Sequence, residues 1–321
     1  MLLIRRCFRA LAIMVALGSL AACSSAPVRP TLGEVGIYSA GQGSAFLPYA
    51  QGLAAYLTAN GVKSQVIESR GSIENLQKLD IETQRLGTVF LGTAFEAVNG
   101  SASWTNGKRQ TSLRALFPMY ETSFQIVTLR SSNLNRLEQL AGKRVGVGPA
   151  GGPAESFFSG LTEVTGLKVQ SITGTPAALV GDLLAGRIDA LWQGASLPIP
   201  SIKQVTDVAD AVVFGLDDVE LSAMLKRFPF LSPATVGSNM YRGQTEVLKS
   251  VAAWNFVMAH KDLPDADAYF ITKAVLSAAD PKAIASSAGP TRAANAPNNT
   301  VVPFHTGALR FYREQGIGNL K

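Results

Sequence analysis

Short apolar runs alternate along this chain with helix-spaced segments and glycine-rich turns, and the alternation predicts most of its elements. Val35–Tyr38 is an apolar run ending in Ser39-Ala40-Gly41-Gln42-Gly43-Ser44. Beyond it Ala50, Leu53, Ala54 and Leu57 recur at the spacing of one helix face, so the segment reads as strand, glycine-rich loop, helix. Residues 63–69 read as a second strand leading into Gly71-Ser72-Ile73-Glu74-Asn75-Leu76, where Ser72 is placed to cap a helix carrying Asn75 and Leu79. Further apolar runs cover 86–91, 113–119, 125–129 and 143–147, the last entering Gly148-Pro149-Ala150-Gly151-Gly152-Pro153. A helix covering 182–186 stops at Gly186, and 188–192 is strand-like. Asp262 and Pro264 are placed to open a helix reaching about Ser277. The pattern predicts an α/β fold of open, mostly parallel sheets with helices on their faces. Residues 293–299 read as a short polar loop, and no internal repeat is visible.

The N-terminus departs from this pattern. Arg5, Arg6 and Arg9 precede an apolar run over 10–20 that leads into Leu20-Ala21-Ala22-Cys23. A basic stretch, a short apolar stretch and a small-residue cleavage site make a secretory signal. The run is too short to cross a hydrocarbon core of roughly 30 Å as a helix. The four residues ending in Cys23 resemble the lipobox of bacterial lipoproteins, in which cleavage leaves that cysteine as the acylated first residue. The expectation is a signal peptide over 1–22 and a lipidated Cys23 with a Ser/Pro tether over 23–32, lifting the body off a membrane surface.

Composition then changes the picture in two ways. The chain has 321 residues and two cysteines, Cys7 and Cys23, so the mature body is expected to hold no disulfide and no thiolate metal site. Its net charge of +6 owes half its size to the three leader arginines. What remains is too weak a bias to argue for nucleic acid. Two strand–glycine loop–helix units about a hundred residues apart suggest two lobes, each offering unpartnered backbone N–H groups at a helix start, which bind anions.

Several segments resemble the TAXI family, the TRAP-associated extracytoplasmic immunogenic proteins that serve as solute-binding subunits of TRAP transporters. They include Gly41-Gln42-Gly43-Ser44 with Pro48, Gly71 to Leu76, Ala94-Phe95-Glu96-Ala97, Leu113-Arg114-Ala115-Leu116 and Leu140 to Gly148. Gly186-Arg187-Ile188-Asp189-Ala190, Pro303-Phe304-His305-Thr306-Gly307-Ala308 and Phe311-Tyr312-Arg313-Glu314 complete the match. The resemblance implies a two-lobed periplasmic-binding-protein fold, type II-like, with a ligand cleft between lobes joined by crossing strands. Lobe 1 is expected over 33–123 plus 251–321 and lobe 2 over 124–250. It also implies capture of a small organic solute, of the organic-acid or amino-acid class, by hinge closure, with membrane permease subunits as partners and one chain sufficing as a monomer.

This chain departs from the family where ligands bind. Thr-Tyr-Tyr-Pro after the first glycine loop becomes Ala45-Phe46-Leu47-Pro48, and Gln-Ser-Asp after the third strand becomes Phe90-Leu91-Gly92. Gly-Ser-Gly-Thr in the second lobe becomes Gly151-Gly152-Pro153-Ala154, losing two hydroxyls and, at Pro153, a backbone donor. An unpaired carboxylate in a closed cleft is costly, so lost donors select for a ligand less polar than usual. From the matched loops the expected ligand-binding residues are Gln42, Ser44, Phe46, Ser72, Asn75 and Thr93, with Gly151, Gly152, Trp192, Gln193 and Tyr241 from the second lobe. Ser72 and Asn75 equally suit helix capping, and Trp192 equally suits a plain core.

No catalytic constellation is visible. Only His260 and His305 exist, in different segments, and no Gly-x-Ser-x-Gly, P-loop, His-Glu-x-x-His or paired-cysteine spacing occurs. The expectation is a non-enzyme needing no cofactor and no metal, with His305 capping or packing a helix and Asp217-Asp218 in a solvated turn. The rival expectation is an envelope lipoprotein that uses the same scaffold as a sensory or protein-interaction module. Ser24 after the acylated cysteine favours the outer membrane in a Gram-negative cell, away from an inner-membrane permease.

Overall fold

A computed structural model describes residues 31–320 apart from Gly43 and Gly151. The leader, Cys23 and most of the tether therefore lie outside the described residues.

The first half runs β1 (Val35–Tyr38), α1 (Phe46–Ala59), β2 (Ser64–Ile67), α2 (Ser72–Leu79), β3 (Arg85–Phe90), α3 (Leu91–Asn99) and the long β4 (Leu113–Leu129). It continues with β5 (Arg144–Gly146), α4 (Pro153–Thr165), β6 (Gln170–Ile172), α5 (Pro176–Leu184), β7 (Ala190–Ala195), α6 (Pro200–Val208), β8 (Ala211–Phe214), α7 (Asp218–Arg227) and β9 (Ser232–Val236). The chain closes with β10 (Leu248–His260), α8 (Asp265–Leu276) and α9 (Thr306–Glu314).

Ten strands form one mixed sheet whose main path is β2-β1-β3-β10-β4-β7-β5-β6, with β8 on β4 and β9 on β10. The parallel pairs are β1–β2, β1–β3, β5–β6 and β5–β7. Every pairing of β4 and β10 with a named strand is antiparallel, which corrects the expectation of mostly parallel sheets. The reason lies in these two strands, which belong to both ends of the molecule. β10 meets β9 through Leu248 to Ala252 and β3 through Asn255 to Ala259. β4 meets β10 from Leu113 to Ser123, and β7 and β8 from Ser123 to Leu129. The runs expected as separate strands at 113–119 and 125–129 are thus halves of one strand. Its middle, Tyr120-Glu121-Thr122-Ser123, is polar where it crosses between lobes.

Three apolar clusters follow from this frame. One packs α1, α2, α8 and α9 around β1, β3 and the first half of β4, with Tyr49, Phe117, Phe256 and Tyr312 at its centre. A second gathers Phe124, Phe157, Phe158 and Trp192 under α4 and α7. The third seats α5 and α6 against Val127, Leu191 and Val213. Each is the buried side of helices that must hide an apolar stripe against a sheet.

Some expected local details differ. Gly71, with φ +102°, precedes α2, so Ser72 is the first helical residue and not the cap. Pro264 occupies the cap position of α8 with no side-chain cap bond, and Asp262 stands outside the helix. Residues 293–298 form a short 3₁₀ segment instead of a loop. His305 caps α9, its Nδ1 accepting from the Gly307 amide at 3.2 Å, while burial depresses the imidazole pKa against the opposing pull of Asp265. Asp217 and Glu220 make a reciprocal capping box at the start of α7.

The N-terminal segment is tied down where it meets the body. Asp267, fully buried in α8, accepts the backbone N–H and the hydroxyl of Thr31, both at 2.5 Å, and the Leu32 amide at 3.4 Å.

Candidate functional site

Open α/β sheets present ligands to the carboxyl ends of their parallel strands. In the first lobe these ends lead into the loop before α1 and directly into α3. In the second they lead into the turn at Gly148 and past Gln193. Several of the expected binding residues follow or end these strands, among them Ser44, Thr93, Gly152 and Gln193, whereas Tyr241 lies between β9 and β10; their polar atoms sort into committed and uncommitted.

Asn75 is wholly committed. Its Nδ2 donates to the Ser39 and Thr88 carbonyls at 2.7 and 2.8 Å, and its Oδ1 accepts from Ser69 Oγ at 2.6 Å, which welds β1, β3 and α2 together. Ser72 Oγ accepts from the Phe90 amide at 3.1 Å. Trp192 is fully buried, lies stacked on Phe124 with centroids 5.3 Å apart, and donates its indole N–H to the Ala154 carbonyl at 2.9 Å. The Tyr241 hydroxyl accepts from the Ile199 amide at 2.8 Å and donates to Gln125 Oε1 at 2.7 Å; burial pushes its pKa up to about 12.

The others differ widely in exposure. Gln42 is exposed and donates to Glu68 at 3.3 Å. Ser44 Oγ accepts from the Phe46 amide, and Phe46 is half-buried against both the first and the second apolar clusters. Thr93 is buried in the first turn of α3. Gly152 precedes α4 and donates to the Pro149 carbonyl; Gly151 lies outside the described residues. Gln193 is only 5% exposed, and its Nε2 has no hydrogen-bond partner.

Between the two lobes sits a cluster of rings that sequence reasoning missed. Phe90 at the end of β3 meets Phe157 of α4 edge-on at 5.2 Å, and Phe95 of α3 meets Phe230 at 5.2 Å. Phe157 also touches Phe124, Phe228 and Phe230 at 5.3–5.4 Å. Gly92 makes this approach possible. A Cβ there would lie 2.5 Å from the Phe157 ring, 2.6 Å from that of Phe90 and 3.0 Å from that of Phe230. The segment Phe90-Leu91-Gly92, read as a loss of polar groups, is therefore the lobe-one half of an apolar clasp. No local pattern announces it, because its members come from four separate segments.

Two carboxyl groups border the junction. Glu96 of α3 accepts from Trp104 Nε1 at 2.9 Å and from Ser156 Oγ of α4 at 3.5 Å. Glu121, mid-way along β4, accepts from Ser232 at 3.0 Å. Burial raises both pKa values above the ordinary carboxyl range, against the opposing pull of those bonds. Arg70, the cation nearest the matched loop at Gly71, is turned onto Glu74 at 2.9 Å. Two open depressions on the surface, around Arg130 with Asp210 and around Arg136 with Gln244, include none of the expected ligand residues. Among the described residues no group of three or more His, Cys, Asp or Glu side chains is placed to hold a metal, and no helix is long and apolar enough to cross a membrane.

Comparison with known proteins agrees with this architecture. The model of the NMT1-like family matches residues 37–316. Among solved structures, the malate-bound MatC protein of Rhodopseudomonas palustris is 13% identical with a TM-score of 0.54, covering 82% of this chain and 90% of that one. A structure described as a periplasmic transporter is 14% identical with a TM-score of 0.53, covering 89% and 93%. The periplasmic binding protein BugD is 13% identical with a TM-score of 0.51, covering 80% and 88%. At these identities the likeness establishes the fold, that of a two-lobed periplasmic binding protein.

Proposed function

Since the chain belongs to the NMT1-like family, we propose that it is an exported solute-binding receptor, the extracytoplasmic subunit of a TRAP-type transporter. It captures a small organic solute of low polarity by closure of its lobes, about boundaries near residues 123 and 251. The observation that carries this reading is the facing of two sets of parallel-strand ends across strands shared by both lobes. The TAXI-like motifs support the transporter class, and malate bound by MatC shows that a protein of this fold takes a small organic acid. The polarity of the ligand is inferred from the junction itself, where phenylalanines and half-buried carboxyl groups stand. Lipid attachment at Cys23 would hold the receptor at the envelope.

The ring clasp also favours a second reading, in which the scaffold serves as an envelope lipoprotein that binds a protein partner, because side chains of the chain itself occupy part of the junction. A thermal-shift screen of the body from Ser24 onward against organic acids, amino acids and apolar metabolites separates the two. A ligand at a hundredfold excess over Kd adds about 2.7 kcal/mol of stability, which shifts Tm visibly. A shift with neutral or weakly polar compounds is expected. A shift with small carboxylates alone overturns the low-polarity assignment, and no shift across the panel overturns the receptor reading in favour of the partner-binding one.

A further inference from the structure

The amide of Gln193 stands out among the buried polar groups. It lies in the last half of β7, in register with Gln125 of β4, and is only 5% exposed. Its Nε2 has two protons to donate and meets no acceptor. Across the pair, Gln125 turns its Oε1 to the Tyr241 hydroxyl at 2.7 Å and not to this amide. A donor left unmade in the interior costs about 1–3 kcal/mol, so its retention at the mouth of the second lobe needs a reason.

The surroundings supply one. Gly148, held at φ +86° two residues past the end of β5, lies beside this amide. A Cβ on it would lie 3.6 Å from Nε2 and 3.1 Å from the Cβ of Ala154 in the first turn of α4. The amide, the side-chain-free face of Gly148 and the start of α4 thus meet at one point on the ligand-facing edge of the sheet. We infer that Gln193 Nε2 is the recognition donor for an uncharged acceptor, the carbonyl oxygen of an amide, lactam or ketone, entering beside Gly148. The inference rests on the receptor reading and names the ligand's polar group.

Charge decides between a carbonyl and a carboxylate. The start of α4 would attract an anion, but Pro153 there has no N–H, Glu155 sits in the first turn, and Glu96 reaches Ser156 one residue later. The positive pole of the helix is already met by the protein's own carboxyl groups. An incoming carboxylate would meet these groups as a like charge, which leaves an uncharged carbonyl as the favoured acceptor for the amide.

The test compares wild type with Gln193→Leu and uses benzamide and benzoate, which share a shape and differ in charge, together with δ-valerolactam. In ligand-free protein, replacing an unmet donor by a similar-sized apolar side chain is expected to raise Tm by about 2–4 °C. A fall in Tm would show that the amide is already satisfied without ligand, by a trapped water for instance, and would overturn the inference. Benzamide or the lactam is expected to raise the Tm of wild type, benzoate is not, and the response is expected to drop at least tenfold in apparent affinity in Gln193→Leu. An equal response in the variant, or one to benzoate alone, overturns the assignment while leaving a receptor in place. If wild type answers none of the three probes the carbonyl assignment fails. The receptor reading itself stands or falls separately, on the broad screen.

Discussion

Individual side chains set where this molecule gains stability and where it gives some up. Asp267 is a fully buried acidic side chain whose partners include two backbone amides and one hydroxyl of the incoming N-terminal segment. Asp267→Asn puts a second donor where these groups need an acceptor and is expected to cost about 1–3 kcal/mol. It should also free residues near Thr31 for early proteolysis, which urea unfolding and timed digestion would report. Glu96 and Glu121 work in the opposite sense. Their native pKa values are raised by burial, so the folded protein holds more protons than the unfolded chain above the ordinary carboxyl range. Stability is therefore greatest below about pH 4.3 for these two groups, and falls as pH rises through their native values. Glu121→Gln removes one such contribution. Its urea midpoint relative to wild type is expected to improve from pH 5 to pH 8, and a difference that stays constant with pH would refute the assignment. None of this was visible in the sequence. Asn75 and Ser72 read equally as ligand contacts or helix caps and Gln193 as a ligand contact, and only the fold separates a committed amide from an uncommitted one.

Elements were more legible than side chains, for a physical reason. Strand and helix periods are local, and β1, β2, β3 and β5 fall within a residue or two of the expected runs. The expectation failed where an element serves two environments. β4 changes partners at Ser123, and its polar middle read as a gap between two strands. β10, buried on both faces from Ser250 to His260, shows no alternation to mark it as a strand. The contact between α3 and α4 was beyond sequence reasoning altogether, since Gly92 and Phe157 meet only through the fold. That contact invites two variants. Phe157→Ala removes a ring in contact with four others and is expected to cost about 3–5 kcal/mol. Gly92→Ala forces three rings apart, so small-angle scattering should show a larger radius of gyration with helix content unchanged. An unaltered radius would mean that the rings give way locally and that the clasp does not set the lobe angle.

At the scale of the whole molecule, the two lobes are two regions of one sheet. Because β4 and β10 each run through both, neither lobe can lose its strands without stripping the other. Calorimetry is expected to show a single transition with equal calorimetric and van't Hoff enthalpies, and two resolved transitions would show the lobes to be independent. The same arrangement has a consequence in time. β3 and β4 follow one another along the chain yet are kept apart in the sheet by β10, which is made more than a hundred residues later. A chain emerging from a ribosome or an export channel carries two bare strand edges until residue 260 arrives to lie between them. Such edges invite pairing with the wrong neighbour. A chain ended at residue 247 is expected to aggregate and not to settle into a smaller native body, whereas the full chain closes its sheet only as its last quarter appears.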